Sequence, residues 1–417
     1  MQSLRKFPSI HFVFILLIFS SLGLVTACDS GGTSSSGNGG TVIGNGGGTG
    51  GTSGGTGGNN GGGNNGGSGA SSQTLLFAAQ DGGSGIQSGI VDTNGNITPG
   101  PPSDTGAQDM IVSMTSTPDG KFMYTTGVAG SSFGNQLGNN AISMFAVNAQ
   151  TGVLSPVPGS PMIMPDRVGG LLVTPNAANA YVPENGQWTS FTIDQTTGQL
   201  SLLSVGGLSG LVPQDAVSPD GHLLVSAQGS SLFIDTADGG TVTNIPGSPF
   251  TVAAANTNVT ALAIAANGLL FVATQLSNDT NPPPTTTVAG GITPYSLSTT
   301  GQPTALSSAP FQTGQHPFSI AITPDSHYLY VTTQAFGGGN QFVEGYAIGV
   351  NGALTPVPGS PVSGNQPLAL AIDTVGHFLF ATGDSGTTVY TIDASTGALT
   401  QVSTSPVPAG VFSTAIP

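Results

Sequence analysis

FSIAITPDSHYLYVTTQAFGGGNQFVEGYAIGVNGALTPVPGSPV, residues 318–362, contains four short apolar segments that are separated by turns. The first turn, TPDS at 323–326, has proline and aspartate at its centre, which favours a type I turn. Apolar and polar residues alternate in the segment that follows, at 328–332, as in a half-buried β-strand. The Asn351-Gly352 pair further on favours a hairpin. This stretch therefore predicts four antiparallel strands joined by tight turns.

The same cycle recurs along the chain from residue 74, at intervals of roughly 43 to 57 residues, and a period of this length with short strands is typical of a β-propeller. The first turn recurs at 117–120, 174–176, 218–221, 266–268, 323–325 and 374–376. The second turn recurs at 151–152, 197–198, 238–239, 300–301, 351–352 and 396–397. A Pro-Gly-Ser-Pro motif closes the units at Pro158, Pro246 and Pro358.

One further unit is incomplete, because it opens the repeat region with strands at 75–79 and 90–92 but has no innermost strand. The last residues, 411–417, match an innermost strand with nothing after it. The two ends together complete one unit, and a closed ring leaves no long free sheet edge. We therefore predict an all-β, seven-bladed propeller of four-stranded blades at 74–417, closed by the C-terminal strand joining the N-terminal blade.

The N-terminus has the composition of a secretory signal, with Arg5 and Lys6 before an apolar run at 12–24 and no acidic residue before Cys28. Val25-Thr26-Ala27-Cys28 resembles a bacterial lipobox, so we predict a signal peptide at 1–27 and lipidation of Cys28. An ordinary signal peptide with an incidental cysteine is the alternative. Residues 28–73 contain little besides Gly, Ser, Thr and Asn, and we expect a disordered tether that holds the propeller outside the cytoplasm, on the cell membrane or the outer membrane.

The charge balance excludes several partners. The chain has 4 Lys and Arg against 19 Asp and Glu, and losing Arg5 and Lys6 with the signal would take the net charge from −15 to −17. Such a surface repels nucleic acid and anionic lipid, so we expect no nucleic-acid partner and a membrane contact through Cys28 alone. One cysteine allows neither an intrachain disulfide nor a thiolate metal cluster. We expect a monomer that has no metal or other cofactor.

The repeats resemble the lactonase-type seven-bladed propellers, a family that includes 6-phosphogluconolactonases, and the related YVTN-repeat surface propellers. Residues 330–333 read YVTT, close to the motif of the latter. In this family a lactone hydrolase is expected to use histidine, glutamate and arginine at the channel mouth. His316-Pro317-Phe318 falls where relatives carry a similar motif, but the arginine of that motif is absent. The resemblance implies His316 as general acid or base and Arg167 as the group that orients the substrate carbonyl.

In propellers, the loops between blades and the loops between second and third strands meet at one face, around the central channel. The candidate binding residues in the loops between blades are Asp109, Asp166, Gln214, Asp215, Asn258 and Gln366, beside Arg167 and His316. Trp188 is placed in a short loop at the same face, where it could stack on a sugar, and buried packing is its alternative. A local ion pair is the alternative for Arg167 and Asp166, and a solvated loop residue is the alternative for His316.

Two functions remain open. The first is an envelope-anchored binding module without strong catalysis, whose partner is an envelope protein, a carbohydrate or a small lactone. The second is a lactone hydrolase that acts at the channel mouth. A sugar phosphate is a poor substrate, because a phosphate in so acidic a domain needs several cationic donors. A quinone-dependent dehydrogenase is a third alternative, but no cationic cofactor pocket is evident.

Overall fold

The computed structural model describes residues 74–79, 85–104, 110–128, 140–210, 212–254, 257–276, 290–334, 341–364, 366–383, 386–405 and 412–416. Within these residues the chain forms strands β1 to β32 and one 3-10 turn at Val350–Gly352. The strands make seven separate antiparallel sheets, numbered here as blades 1 to 7. The signal peptide, Cys28 and the tether lie outside the described residues.

Each blade is given from its innermost strand outward. Blade 1 contains β32 (Phe412–Ile416), β1 (Thr74–Ala79), β2 (Gly85–Val91) and β3 (Ile97–Asp104). Blade 2 contains β4 (Met110–Ser116), β5 (Phe122–Val128), β6 (Asn140–Val147), β7 (Leu154–Pro156) and β8 (Met162–Met164). Blade 3 contains β9 (Leu172–Val173), β10 (Asn179–Glu184), β11 (Gln187–Ile193) and β12 (Leu200–Gly206).

Blade 4 contains β13 (Val212–Val217), β14 (Leu223–Gln228), β15 (Ser231–Asp238), β16 (Thr241–Asn244) and β17 (Phe250–Thr251). Blade 5 contains β18 (Thr257–Ile264), β19 (Leu269–Leu276), β20 (Gly291–Leu297), β21 (Pro303–Ala305) and β22 (Phe311–Gln312). Blade 6 contains β23 (Ile320–Ile322), β24 (Tyr328–Gln334), β25 (Gln341–Ile348), β26 (Leu354–Pro356) and β27 (Val362–Ser363). Blade 7 contains β28 (Pro367–Ile372), β29 (Phe378–Gly383), β30 (Gly386–Ile392) and β31 (Leu399–Ser405).

The two ends of the repeat region share blade 1, as the sequence predicts. Strands β32 and β1 pair antiparallel, from Leu75 opposite Ile416 to Ala79 opposite Phe412. The innermost strands contact one another in cyclic order, and β32 touches both β28 and β4. The prediction of a seven-bladed propeller closed by its C-terminal strand is confirmed.

The first turn is held by its own side chains, which explains why its sequence repeats. In blade 2, the Thr117 hydroxyl donates to Asp119 Oδ1 at 2.7 Å and accepts from the backbone N of Phe122 at 3.1 Å. The same pattern joins Thr323 to Asp325 in blade 6, at 2.6 Å. Threonine and aspartate therefore satisfy backbone groups at the tip, where the sheet ladder cannot reach.

The Pro-Gly-Ser-Pro motif ties the chain to the third strand of its own blade. Ser160 Oγ accepts a hydrogen bond from the backbone N of Met144 at 2.9 Å. Ser248 and Ser360 accept the equivalent bonds, from Ile234 at 3.0 Å and Gly345 at 2.9 Å. The motif is thus structural, because it directs the chain towards the next blade.

The core lies between adjacent blades, and tyrosine side chains also join them there. The hydroxyl of Tyr124 in blade 2 donates to Gly198 O of blade 3 at 2.9 Å, and that of Tyr330 in blade 6 donates to Gly397 O of blade 7 at 2.7 Å. Burial raises the pKa of both phenols above the ordinary value, so they stay protonated donors. Tyr330 opens the YVTT stretch, so that motif connects two blades.

No helix in the described part of the chain has the length and apolar character that crossing a bilayer requires.

Candidate functional site

A small pocket opens at the face opposite the Thr-Pro-Asp turns, where the loops into blades 3 and 4 meet the loop between β10 and β11. Its volume is about 220 Å³, below the roughly 300–1,000 Å³ of drug-sized sites, so it suits a small ligand. Its lining consists of Asp166, Arg167, Val168, Gly169, Pro183, Asn185 and Gly210. We call this the mouth pocket.

The loop that carries Arg167 is fixed by the neighbouring strand end. Glu184 Oε1 accepts a hydrogen bond from the backbone N of Asp166 at 3.1 Å. Gly169 N donates to Pro183 O at 2.8 Å, and Val168 forms a bridge with Glu184. The two residues on either side of Arg167 are therefore anchored, and the guanidinium is exposed at the pocket.

Arg167 forms no ion pair with Asp166, which contradicts the local ion pair offered as its alternative. Within the described residues, Lys121 forms an ion pair with Asp119, and the rings of His222 and His327 contact the carboxyl groups of Asp238 and Asp325. The Asp166 backbone is engaged by Glu184, while its side chain is exposed. The structure therefore brings Asp166 and Arg167 to one pocket and leaves the guanidinium available to a ligand.

Asp215 lies in β13, on the face of blade 4 that packs against blade 3. It pairs with Ser226 on the neighbouring strand. The Val217–Leu224 pair, two residues further along, is on the same face of the sheet and packs with Tyr181 and Trp188 of blade 3. The carboxyl group is 0% exposed, and neither oxygen has a hydrogen-bond partner among the residues that the structure describes. Burial raises its pKa well above the ordinary value, because the ionised form is desolvated.

Asp235 is a second buried carboxyl in the same interface, and it is well satisfied. Trp188 Nε1 donates to Oδ2 at 3.2 Å, while Leu208 N and Asn244 Nδ2 donate to Oδ1 at 3.1 and 3.3 Å. Burial raises the pKa of Asp235, and these three hydrogen bonds oppose that rise. The two acids thus share an interface, but only one has partners.

The placement of Trp188 needs correction. It is not in a loop but in β11, where its side chain is 0% exposed and its indole N–H is bound by Asp235. A ring buried between two blades cannot stack on a sugar from solution. Its burial is accounted for by packing, the alternative considered for it.

His316 lies in the loop between blades 5 and 6, three blades around the ring from the loop that carries Arg167. Its backbone N donates to Oε1 of the buried Gln275 at 2.9 Å, and its φ is +45°. The ring stacks on Phe318 at 6.2 Å. Burial lowers the pKa of the imidazole, which therefore favours the neutral form, as a general base requires.

Side chains from blade 6 hold the same loop. Glu344 Oε1 accepts from Gly314 N at 2.8 Å and from the Thr333 hydroxyl at 3.0 Å, while Oε2 accepts from Tyr346 at 2.6 Å. Gln275 and Glu344 therefore fix the loop from both neighbouring blades. The loop signals in the sequence pointed to His316 but gave no indication of these two supports.

The remaining predicted residues are dispersed. Asp109 lies outside the described residues, and Gln214 is in β13. Asn258 is exposed in β18, and Gln366 is exposed with φ +51° at the same repeat position as His316, before a proline. Neither Asn258 nor Gln366 lines the mouth pocket. Glu184, Asn185 and Gly210, which hold or line it, were not predicted.

The three histidines that follow first turns are apart from one another, as equivalent positions of different blades. His222 and His327 pair with carboxylates of their own blades, at 2.7 and 2.8 Å. His377 packs against Phe378. Among the residues that the structure describes, no group of three or more His, Cys, Asp or Glu could hold a metal ion.

Comparison with known proteins agrees with this architecture. Residues 251–414 match the family described as "Lactonase, 7-bladed beta-propeller". No curated protein is detectably similar in sequence.

Solved structures share the fold at low sequence identity. A "putative 6-phosphogluconolactonase" from Bacteroides fragilis aligns with a TM-score of 0.65 and 17% identity, over 84% of this chain and 99% of that one. The periplasmic gluconolactonase PpgL of Pseudomonas aeruginosa aligns with a TM-score of 0.62 and 15% identity, over 83% and 99%. Identities this low support the shared fold and do not carry the activity across.

Proposed function

We propose that this lactonase-type seven-bladed propeller binds a small, unphosphorylated ligand in the mouth pocket, with Arg167 as the group that receives a carbonyl or carboxylate oxygen. The observation that carries the proposal is an exposed guanidinium with no ion pair, placed in a formed pocket by anchored neighbours. A guanidinium offers five N–H donors in a planar fork, which suits such an oxygen.

The charge of the chain narrows the ligand further. The net charge is −15, and Lys121, the other cation within the described residues, is paired with Asp119 at a first turn. A phosphate of charge near −2 would meet one cation in a repulsive field, whereas a neutral lactone or sugar would meet no such barrier. Lactones are included because two of the proteins that share the fold are described as lactonases.

Calorimetric titration of the full-length chain in detergent with glucono-lactone and its 6-phosphate tests this proposal. We expect the unphosphorylated lactone to bind more tightly, and Arg167→Gln to weaken binding by about 10- to 100-fold, the value of a hydrogen bond to a charged group. Lys121→Gln is the matched control, because it removes the same charge at the opposite face. Equal loss of binding in both variants would show a general charge effect and contradict the site.

Lactone hydrolysis is the second candidate function, favoured by His316. Its imidazole is half-buried, and burial lowers its pKa and so favours the neutral form. It lies in a loop that Gln275 and Glu344 hold in place. We expect His316→Ala to lower any lactone turnover by about 100-fold or more. His327→Ala, a change at an exposed first-turn histidine, should leave it unchanged. Turnover that is insensitive to His316→Ala would exclude this mechanism.

The proposal includes attachment to a bacterial membrane through lipidated Cys28, outside the cytoplasm. Its support is the apolar run followed by Val25-Thr26-Ala27-Cys28 and the absence of any other cysteine. Metabolic labelling with a radioactive fatty acid should mark the wild type and not Cys28→Ala. An unlabelled wild type would contradict the anchor.

A further inference from the structure

Asp215 breaks the repeat. It lies three residues before the first turn, and the equivalent residues of five other blades are apolar: Met114, Leu171, Leu262, Ile320 and Leu370. In blade 1, the strand register puts Ser413 at this position. An apolar residue is thus what the architecture selects here, and the acid needs another reason.

Stability does not supply that reason. A buried polar group without a partner lowers stability, and both oxygens of Asp215 lack a partner among the described residues. Asp235 shows, in the same interface, that three donors can be arranged around a buried carboxyl. A residue that costs stability and has no partner within the fold is typical of a functional position.

The unpartnered carboxyl is linked to the wall of the mouth pocket through one residue, Ser226. Gly210 lines the pocket, and its backbone N donates to Ser226 Oγ at 2.8 Å. Ser226 is the cross-strand neighbour of Asp215, and such neighbours have Cβ atoms roughly 5 Å apart on the same sheet face. A side chain at position 210 would clash with the backbone carbonyl of Ala227, so the wall at this point is backbone alone.

The missing partner is best supplied by a cationic donor. An ammonium group brings three N–H donors and a positive charge, whereas a hydroxyl brings one donor and no charge. A buried carboxylate is stable when it is paired with a charge, and the net charge of −15 attracts cations to this domain. The same charge disfavours a second anionic group on the ligand.

We propose that Asp215 is the inner binding residue of the mouth pocket and pairs with an ammonium group of the ligand, while Arg167 binds an oxygen acceptor of the same molecule. The ligand class is a small amine that also has a carbonyl oxygen, such as an α-amino lactone. The inference rests on the proposed function, because it uses the same pocket and Arg167. Because Asp215 is fully covered, contact requires the Gly210 backbone to move aside.

The test compares three γ-butyrolactones whose α-carbon carries an ammonium group, a hydroxyl group or hydrogen. Each is titrated into the full-length chain in detergent, at a pH where the amine is protonated. We expect the amino lactone to bind at least 10-fold more tightly than the other two. Asp215→Asn should abolish this preference, while Asp220→Asn, at the exposed first turn of the same blade, should retain it.

A second readout needs no variant. Burial favours the protonated carboxyl of Asp215, so pairing with an ammonium should release protons, measured as the dependence of binding enthalpy on the ionisation enthalpy of the buffer. The hydroxy lactone should release none. A preference for the amine without proton release would point to an acid that is already ionised and overturn the assignment to Asp215.

The outcomes separate this inference from the function on which it rests. If no lactone binds, the proposed function fails. If all three bind equally, the pocket stands and the role of Asp215 is overturned. If the hydroxy and amino lactones bind equally to the wild type, and still do so in Asp215→Asn, the partner is a hydroxyl group. That result would likewise contradict pairing with an ammonium group.

Discussion

Strand β13 separates two unlike interfaces. Towards blade 5, Ala216 and Val225 pack with Leu262, Val272 and other apolar side chains in one continuous cluster. Towards blade 3, the same strand buries Asp215 beside a smaller apolar cluster and the carboxyl of Asp235. Adjacent residues of this strand thus face different neighbouring blades, because successive side chains of a β-strand point to opposite faces of the sheet.

The polar interface is the one next to the mouth pocket. The pocket lies above the polar interface of blades 3 and 4, where the loop from Gly206 to Gly210 crosses from one blade to the next. Apolar interfaces hold the ring by removing surface from water, at about 25 cal/mol per Å². The interface of blades 3 and 4 gives up part of that stabilisation and gains buried groups that a ligand can use.

The largest expected effect comes from opening the ring on which both interfaces depend. A chain that lacks residues 412–417 loses β32, and with it Ile416 and Ala415 from the cores on either side of blade 1. We expect loss of the cooperative thermal transition by circular dichroism and rapid proteolysis. Adding a peptide of residues 411–417 should restore part of the transition. An unchanged melting curve would contradict closure by this strand.

Placing an acid in the apolar interface would make it resemble its neighbour. Leu262→Asp puts a carboxyl at the position equivalent to Asp215, in a cluster of buried apolar side chains. We expect a loss of about 4 kcal/mol in the free energy of unfolding, from lost apolar burial and an unpaired charge. Denaturant titration measures it, with Leu202→Asp at a 65% exposed position as the control. A loss below about 1 kcal/mol would mean that acids are tolerated in either interface.

The reverse change should stabilise the ring. Asp215→Leu restores the residue type of the other blades and removes an unsatisfied carboxyl, so we expect a gain of about 2 kcal/mol in the free energy of unfolding. The same variant should lose the preference for an amino lactone. A destabilised Asp215→Leu protein would show that the carboxyl has a structural partner, and the contrast between the two interfaces would fail.

The pH dependence sharpens that result. The folded state raises the pKa of Asp215, so it holds the proton more tightly than the unfolded chain does. Ionisation of this carboxyl therefore costs no stability below the ordinary pKa, and that cost grows as the pH rises towards the raised value. The stability difference between Asp215→Leu and the wild type should widen from acid to neutral pH. A difference that is constant with pH would exclude titration of Asp215 as its source.

The fold was predictable because its turns carry their own chemistry. Thr117 and Asp119 bond within four residues of sequence, so their spacing reports a structure that needs no distant partner. The blade shared by the two ends of the repeat region was predicted in the same way, by counting the strands between successive turns. The prediction of residues in loops between blades found Asp166 and Arg167, which meet in one pocket.

The burial of Trp188 and Asp235 could not be read from the sequence in that way. Their hydrogen bond joins residues 47 positions apart in different blades, and alternation alone does not tell which face of a strand is covered. Asp215 did leave a signal that loop placement missed. Alignment of the repeats shows an acid at a position that is apolar in five blades, which separates a candidate site from the scaffold.

The smallest expected effect concerns the acid that is already satisfied. Asn244→Ala removes one of three donors to Asp235, and we expect a loss of about 1 kcal/mol in the free energy of unfolding. Because that hydrogen bond lowers the pKa of Asp235, its removal should raise the pKa further and make the loss larger at neutral than at acid pH. Thr243→Ala, at the exposed neighbouring residue, is the matched control for strand propensity. If both variants lost the same stability at every pH, the Asn244 side chain would contribute nothing as a donor. The difference between Asp235 and Asp215 would then be smaller than their hydrogen bonds indicate.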